Sequence, residues 1–134
     1  MKSYLIIALL FSSFVSLNAQ KLQNSSYQTL GYIESGGKVQ NSSYQTIGYF
    51  DGTKVQNSSY QTEGYLENGK IQNSSYQTLG YFENGKVQNS SYQTIGYVEN
   101  GKIQNSSYQT LGYYEGIDDA RVAAAVFFFF FHLN

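Results

Sequence analysis

A string of seven residues, Gln-Asn-Ser-Ser-Tyr-Gln-Thr, occurs six times in this chain, beginning at Gln23, Gln40, Gln56, Gln72, Gln88 and Gln104. Successive starts lie 17, 16, 16, 16 and 16 residues apart. A period this short holds one small supersecondary unit, which cannot bury a face alone, so the units must pack on one another. One unit reads Tyr76-Gln-Thr-Leu-Gly-Tyr-Phe-Glu-Asn-Gly-Lys-Val-Gln-Asn-Ser-Ser91.

The centre of that unit is Asn84-Gly85, set between Glu83 and Lys86. A type I′ turn needs positive φ at both central residues, and Asn-Gly is the pair that tolerates it best, so each unit is expected to be a β-hairpin. The pair recurs at Asn68-Gly69 and Asn100-Gly101; Asp51-Gly52-Thr53 varies it, and Ser35-Gly36-Gly37 carries the extra residue of the first spacing. Counting outward places Glu83 opposite Lys86, Phe82 opposite Val87, Tyr81 opposite Gln88, Gly80 opposite Asn89 and Leu79 opposite Ser90. Side chains alternate along a strand. Tyr76, Thr78, Gly80, Phe82 and Val87 therefore share one face, and Leu79, Tyr81, Glu83, Lys86 and Gln88 the other. The second face carries the charges and has Glu63 at the Leu79 position of another repeat, so it is expected to be wet. The first is expected to be the interior, with Gly31, Gly48, Gly64, Gly80, Gly96 and Gly112 as its structural glycines.

The ends of the array are complementary halves. Lys21 to Ser26 reads as a second strand without a first, and Tyr108 to Glu115 as a first strand without a second, with five complete hairpins between them. Pairing the halves makes a sixth unit and removes the exposed sheet edges. The expected fold is an all-β repeat with one helix: a closed twelve-strand antiparallel barrel of six hairpins around a C-terminal apolar helix. An open meander is the alternative.

Twelve strands at the usual spacing and tilt enclose a bore roughly 14 Å wide once side chains are counted. Residues 117–134 supply its filling. Asp118 and Asp119 suit a helix N-terminus, Ala120 to Ala125 is mostly strong helix former, and Val122 to Phe131 is apolar all round, as for a helix buried on every side. The expected plug is Val122, Val126, Phe127, Phe128, Phe129, Phe130 and Phe131. A tail packed on one side of a curved sheet is the alternative.

The start of the chain has the pattern of an export signal: Lys2, the apolar stretch Tyr4 to Phe11, then serines and Asn18-Ala19-Gln20. Cleavage after Ala19 divides the chain into a leader at 1–19, the barrel at 20–116 and the helix at 117–134, with no transmembrane span in the mature part. The expected location is the periplasm or the exterior of a Gram-negative bacterium. There is no cysteine, so neither disulfides nor thiolate metal sites hold the fold. Beyond the leader, six lysines and one arginine against nine acids leave a net charge of −2, which argues against nucleic acid and anionic lipid as partners.

Six glycine-centred hairpins, the Ile/Leu-Gly-Tyr-x-Glu-Asn-Gly-Lys-Val pattern and an Ala/Phe-rich terminal helix resemble the β-flower proteins, over Lys21 to Asn134. The resemblance implies a shallow symmetric barrel around a hydrophobic centre, an architecture similar to the tubby-like and scramblase-like barrels. It carries no activity over: phosphoinositide binding of the tubby-like kind needs a basic cluster, and these lysines come one per hairpin with an acid opposite.

No residue set assembles a catalytic site or a cofactor site, and the chain is expected not to be an enzyme. His132, the one histidine, follows Phe131 in the apolar tail. The serine doublets are turn chemistry repeated six times, and Asp118-Asp119 is read as a helix cap rather than a cation site. The Asn-Ser-Ser triplets are formal glycosylation sequons. The functional expectation is an exported structural or binding module, with Tyr32, Tyr49, Tyr65, Tyr81, Tyr97 and Tyr113 as an outward contact belt and glycan, peptide or another envelope component as its partner. The alternative is a secreted fibre or matrix subunit of the functional-amyloid kind, built from Gln/Asn/Ser/Tyr repeats.

Overall fold

The computed structural model of the chain describes residues 20–133. The leader expected at 1–19 lies outside the described residues, as does Asn134.

Twelve short strands follow one another: β1 (Lys21–Asn24), β2 (Thr29–Ile33), β3 (Lys38–Asn41), β4 (Thr46–Asp51), β5 (Lys54–Asn57), β6 (Thr62–Glu67), β7 (Lys70–Asn73), β8 (Thr78–Glu83), β9 (Lys86–Asn89), β10 (Thr94–Glu99), β11 (Lys102–Asn105) and β12 (Thr110–Glu115). Each pairs antiparallel with its neighbours in the chain, and β1 pairs with β12, so the sheet is a closed barrel. At the seam Lys21 lies opposite Glu115, Leu22 opposite Tyr114, Gln23 opposite Tyr113 and Asn24 opposite Gly112. The two half-hairpins at the ends of the array thus form the sixth unit. Within the complete hairpins the register follows the turns, with Glu83 opposite Lys86, Phe82 opposite Val87, Tyr81 opposite Gln88 and Gly80 opposite Asn89. Asn68, Asn84 and Asn100 have φ of 50 to 54°, and the glycines after them 78 to 81°, as the tight turn requires.

Two parts of the expected face assignment are corrected. Between one hairpin and the next the ladder slips by a residue: Val87 pairs with Gly96 and Gln88 with Thr94, leaving Ile95 as an extra residue. Such a bulge turns two consecutive side chains toward the same side. Leu30, Ile47, Ile95 and Leu111 pack against the core rather than standing in water, and Leu79 is half-buried. Tyr76, expected on the inner face, lies outside the strand and is 64% exposed. The charge pairs are also looser than their register implied. Among the described residues, Lys21 and Glu115 at the seam form the one cross-strand ion pair, at 3.4 Å.

The chain then turns into the bore. Helix α1 (Asp119–Ala124) starts at Asp118, whose carboxylate accepts from the backbone N–H groups of Ala120 (2.9 Å) and Arg121 (3.4 Å). Its buried residues are Val122, Ala123 and Ala124, followed by Ala125 and Val126. Around them stands a ring of inward side chains that includes Leu22, Ile33, Val39, Phe50, Val55, Val87, Val98, Ile103 and Tyr114. The barrel supplies the bulk and the helix supplies the small residues, which lets a helix backbone fit the bore.

The expected α-helix to Phe131 stops at Ala124. Residues Ala125–Phe129 form a π-helical turn, and the backbone widens further. Both Phe130 N–H (2.8 Å) and Phe131 N–H (2.9 Å) donate to the Ala125 carbonyl, five and six residues back. An α-helix turns about 100° per residue, whereas six hairpins present one petal every ~60°. Widening the turn shortens the angular step toward that value, so successive phenylalanines reach successive petals. Phe127 lies on Gly96, Phe128 on Gly80, Phe129 on Gly64, Phe130 on Gly48 and Phe131 on Gly31, while Leu133 takes Gly112. The rings are half-buried rather than fully enclosed, because they form the floor of the barrel and not its axis.

One hairpin breaks the symmetry for a visible reason. Arg121 of α1 donates to the Ser35 carbonyl (3.3 Å) and lies 5.6 Å from the Phe50 ring centroid. The Ser35-Gly36-Gly37 loop, with its extra residue, stands where the chain enters the bore.

Candidate functional site: the paired tyrosines

Each loop joining two hairpins is a closed hydrogen-bonded unit. In the loop after β7, the Asn73 side-chain oxygen accepts from the N–H groups of Ser75 (2.9 Å) and Gln77 (3.0 Å), and its amide nitrogen donates to Gln77 Oε1 (2.8 Å). Gln72 Nε2 donates to the Tyr76 carbonyl at 3.1 Å. The Tyr76 N–H donates to the Asn73 carbonyl, closing a turn whose fourth residue must take positive φ. Tyr76 has φ of 64°, and Tyr27, Tyr44, Tyr60, Tyr92 and Tyr108 lie within two degrees of it. The Asn and Gln side chains are thereby spent on their own loops. The asparagine amide of each sequon thus donates within its own turn.

The loop tyrosines are what these turns present. Tyr76 stacks on Tyr65, with ring centroids 4.4 Å apart and planes 11° from parallel. The same contact joins Tyr44 to Tyr32, Tyr60 to Tyr49, Tyr92 to Tyr81, Tyr108 to Tyr97, and Tyr27 to Tyr113 across the seam, all at 4.4–4.5 Å. Loop rings are 63–65% exposed; the wall rings beneath them, which are the expected contact belt, are half-buried. The wall tyrosines thus stand beneath the loop tyrosines, which hold the solvent face. The wall register alone could not reveal them. The signal was local: the residue closing an Asn-Ser-Ser turn takes left-handed φ and swings its side chain outward. In each pair one phenol (Tyr27, Tyr32, Tyr49, Tyr65, Tyr92 and Tyr97) has its pKa pushed above the ordinary value, chiefly by the nearby phenol of its stacked partner.

Charge is separated along the barrel axis. Among the described residues, every Lys, Arg, Asp and Glu except Glu63 belongs to a tight-turn hairpin end, the seam beside it or the start of α1. The opposite end shows tyrosine, amides, serines and the phenylalanine floor. An open cleft of about 410 Å³ lies on that floor between Ile47, Asn57, Glu63 and Phe128 to Phe130. A smaller one of about 240 Å³, lined by Glu34, Ser35, Asp118 and Arg121 among others, marks the entry of the helix. His132 is exposed, and Asp118 and Asp119 serve the helix: the Tyr114 hydroxyl donates to Asp119 Oδ1 at 2.5 Å.

A family profile described as "5-fold beta-flower protein" matches residues 18–132. The chain belongs to the β-flower family. Five complete hairpins lie within this β-flower's chain, and the seam between β1 and β12 adds the sixth petal. No curated protein and no solved structure matches it. No helix among the described residues is long and apolar enough to cross a membrane.

Proposed function

We propose that this β-flower is an exported, non-catalytic binding module that takes uncharged glycan chains on its tyrosine pairs. The observation that carries this reading is the backbone of the six loop tyrosines, held at φ of 64–66°. A residue with a Cβ pays about 1–2 kcal/mol to sit there, and glycine or asparagine would sit there more easily. Strain repeated at an exposed aromatic position favours a use for the ring. A flat phenol face 63–65% open to solvent suits the C–H face of a sugar ring. The loop end, where Glu63 is the one acid or base among the described Lys, Arg, Asp and Glu residues, favours a neutral partner over an ionic one. Six equivalent sites around one disc favour a polymer, since linked sugars would gain avidity from site to site. The leader pattern at 1–19 supports export. Barrel closure leaves no free strand edge on which a fibre could grow, which favours a discrete module over the fibre reading.

The test replaces Tyr27, Tyr44, Tyr60, Tyr76, Tyr92 and Tyr108 together by glycine, which accepts the same φ. The variant should keep its β circular dichroism and lose retention on uncharged polysaccharide in affinity electrophoresis. The parent should bind long chains more tightly than short ones. Equal retention of parent and variant, or no retention of the parent on any neutral polysaccharide, would overturn the reading.

A further inference from the structure

We propose that the six stacked tyrosine pairs are sites of oxidative cross-linking, each yielding one dityrosine bond that ties a loop to the wall of a neighbouring hairpin. The proposal does not depend on glycan binding.

Three observations carry it. Each pair holds two phenol rings with centroids 4.4–4.5 Å apart and planes within 12° of parallel, so the two rings are already in face-to-face contact. One ring of each pair is 63–65% exposed and open to an oxidant. The chain has no cysteine and no tryptophan, and its single methionine is Met1. No thiol or indole competes as the first group oxidised, and the tyrosines are left as the side chains that give up an electron most readily.

The chemistry balances with peroxide as the oxidant and a haem peroxidase to split it into one-electron steps. Each phenol loses one electron and one proton, giving two facing phenoxyl radicals. They couple through a new carbon–carbon bond between ortho positions, and the two ring hydrogens at those carbons move to the oxygens to restore both phenols. Overall two electrons and two protons leave the pair, and one hydrogen peroxide takes them up to become two waters. Because the partners are already in contact, coupling within a pair outruns encounter between chains.

The six bonds would not be equivalent. Tyr32 with Tyr44, and the four pairs that follow it, join positions close in the chain. Tyr27 with Tyr113 joins the loop after the first strand to the last strand, across the one seam that no turn connects. Closing the longest loop restricts the unfolded chain most, so this bond should matter most to stability. It would do for a cysteine-free barrel what a terminal disulfide does elsewhere.

The experiment treats the purified full chain with hydrogen peroxide and a haem peroxidase. Readouts are dityrosine fluorescence, loss of two hydrogens per pair by mass spectrometry, peptide mapping and migration in denaturing gels. The expected product is a cross-linked monomer containing the Tyr27–Tyr113 peptide, with a thermal midpoint above that of the untreated chain. Tyr113→Phe keeps the stacked ring but removes the phenol. It should lose that one peptide, keep the other five, and give up the largest share of the midpoint gain. Absence of dityrosine, coupling only between chains, or the same peptides from a urea-unfolded control would overturn the proposal.

Discussion

At Gly96 an added Cβ would stand 2.5 Å from Phe127 Cε1 and 2.7 Å from the Gln104 carbonyl oxygen. The φ there is ordinary, so the demand for glycine is one of space, made from one side by the floor ring and from the other by the partner strand of its own hairpin. Gly36 is the internal control, with nothing within 4 Å of its would-be Cβ. Gly96→Ala should therefore lower stability by about 1–3 kcal/mol, as overpacking does. Gly36→Ala should be neutral or stabilise by up to about 1 kcal/mol through the unfolded chain. Urea midpoints of the two variants decide it; equal midpoints would mean the phenylalanine floor yields freely. The glycine positions were legible from the repeat, since a glycine at one register in all six units marks a close approach. What approaches them was not legible, because a run of five identical phenylalanines does not say which ring meets which petal.

Helix α1 is a short element held at both ends by the barrel. At its start the Tyr114 hydroxyl, on the last strand, donates to Asp119 in the first turn. Burial pushes the Tyr114 pKa up, and the hydrogen bond and charge of Asp119 push it the same way. The folded value then lies above the unfolded value of 10.0. Stability from this group is complete below pH 10 and falls as pH rises beyond it, because the unfolded chain gives up the proton first. The thermal midpoint should thus drop on going above pH 10, and Tyr114→Phe should flatten part of that drop while lowering the midpoint at neutral pH. A pH profile unchanged by the substitution would remove Tyr114 as its source. The cap at Asp118 could be read from the sequence, because capping is local chemistry. The end of the α-helix at Ala124 could not. Ala125 to Phe129 has nothing against α-helix except aromatic bulk, and the π turn exists because the petals are spaced more closely in angle than α-helical side chains are.

On the scale of the whole molecule, the barrel and its filling stabilise each other. The inner ring of aliphatic side chains faces α1, and the six buried glycines face the phenylalanines and Leu133. Truncation after Gly116 would open both layers to water. Val122 and Val126 alone are worth several kcal/mol at about 1.5–3 each, and each half-buried ring adds about half of its full value. A domain of this size has a margin of about 5–15 kcal/mol. The truncated chain should aggregate or lose cooperative melting, as seen by circular dichroism and light scattering. A soluble product that melts near the parent temperature would show that twelve strands close without the helix.

The repeat by itself determined the hairpins, the register within each and the closure of the ends, and the apolar run after it identified the filling segment. These follow from contacts between near neighbours in the chain, from the count of unpaired strands or, for the filling, from local composition. The tertiary structure alone decided three other things. It set the bulge that turns Leu30, Ile47, Ile95 and Leu111 inward, which strict alternation misplaces. It set the stacking of each loop tyrosine on the wall of another hairpin, a contact between units that lies outside the pattern of any one unit. It also set the fan of Phe127 to Phe131, whose step is dictated by a ring of six and not by helix propensity. In each case the deciding contact runs between units, and a pattern repeated identically in every unit carries no information about its neighbours.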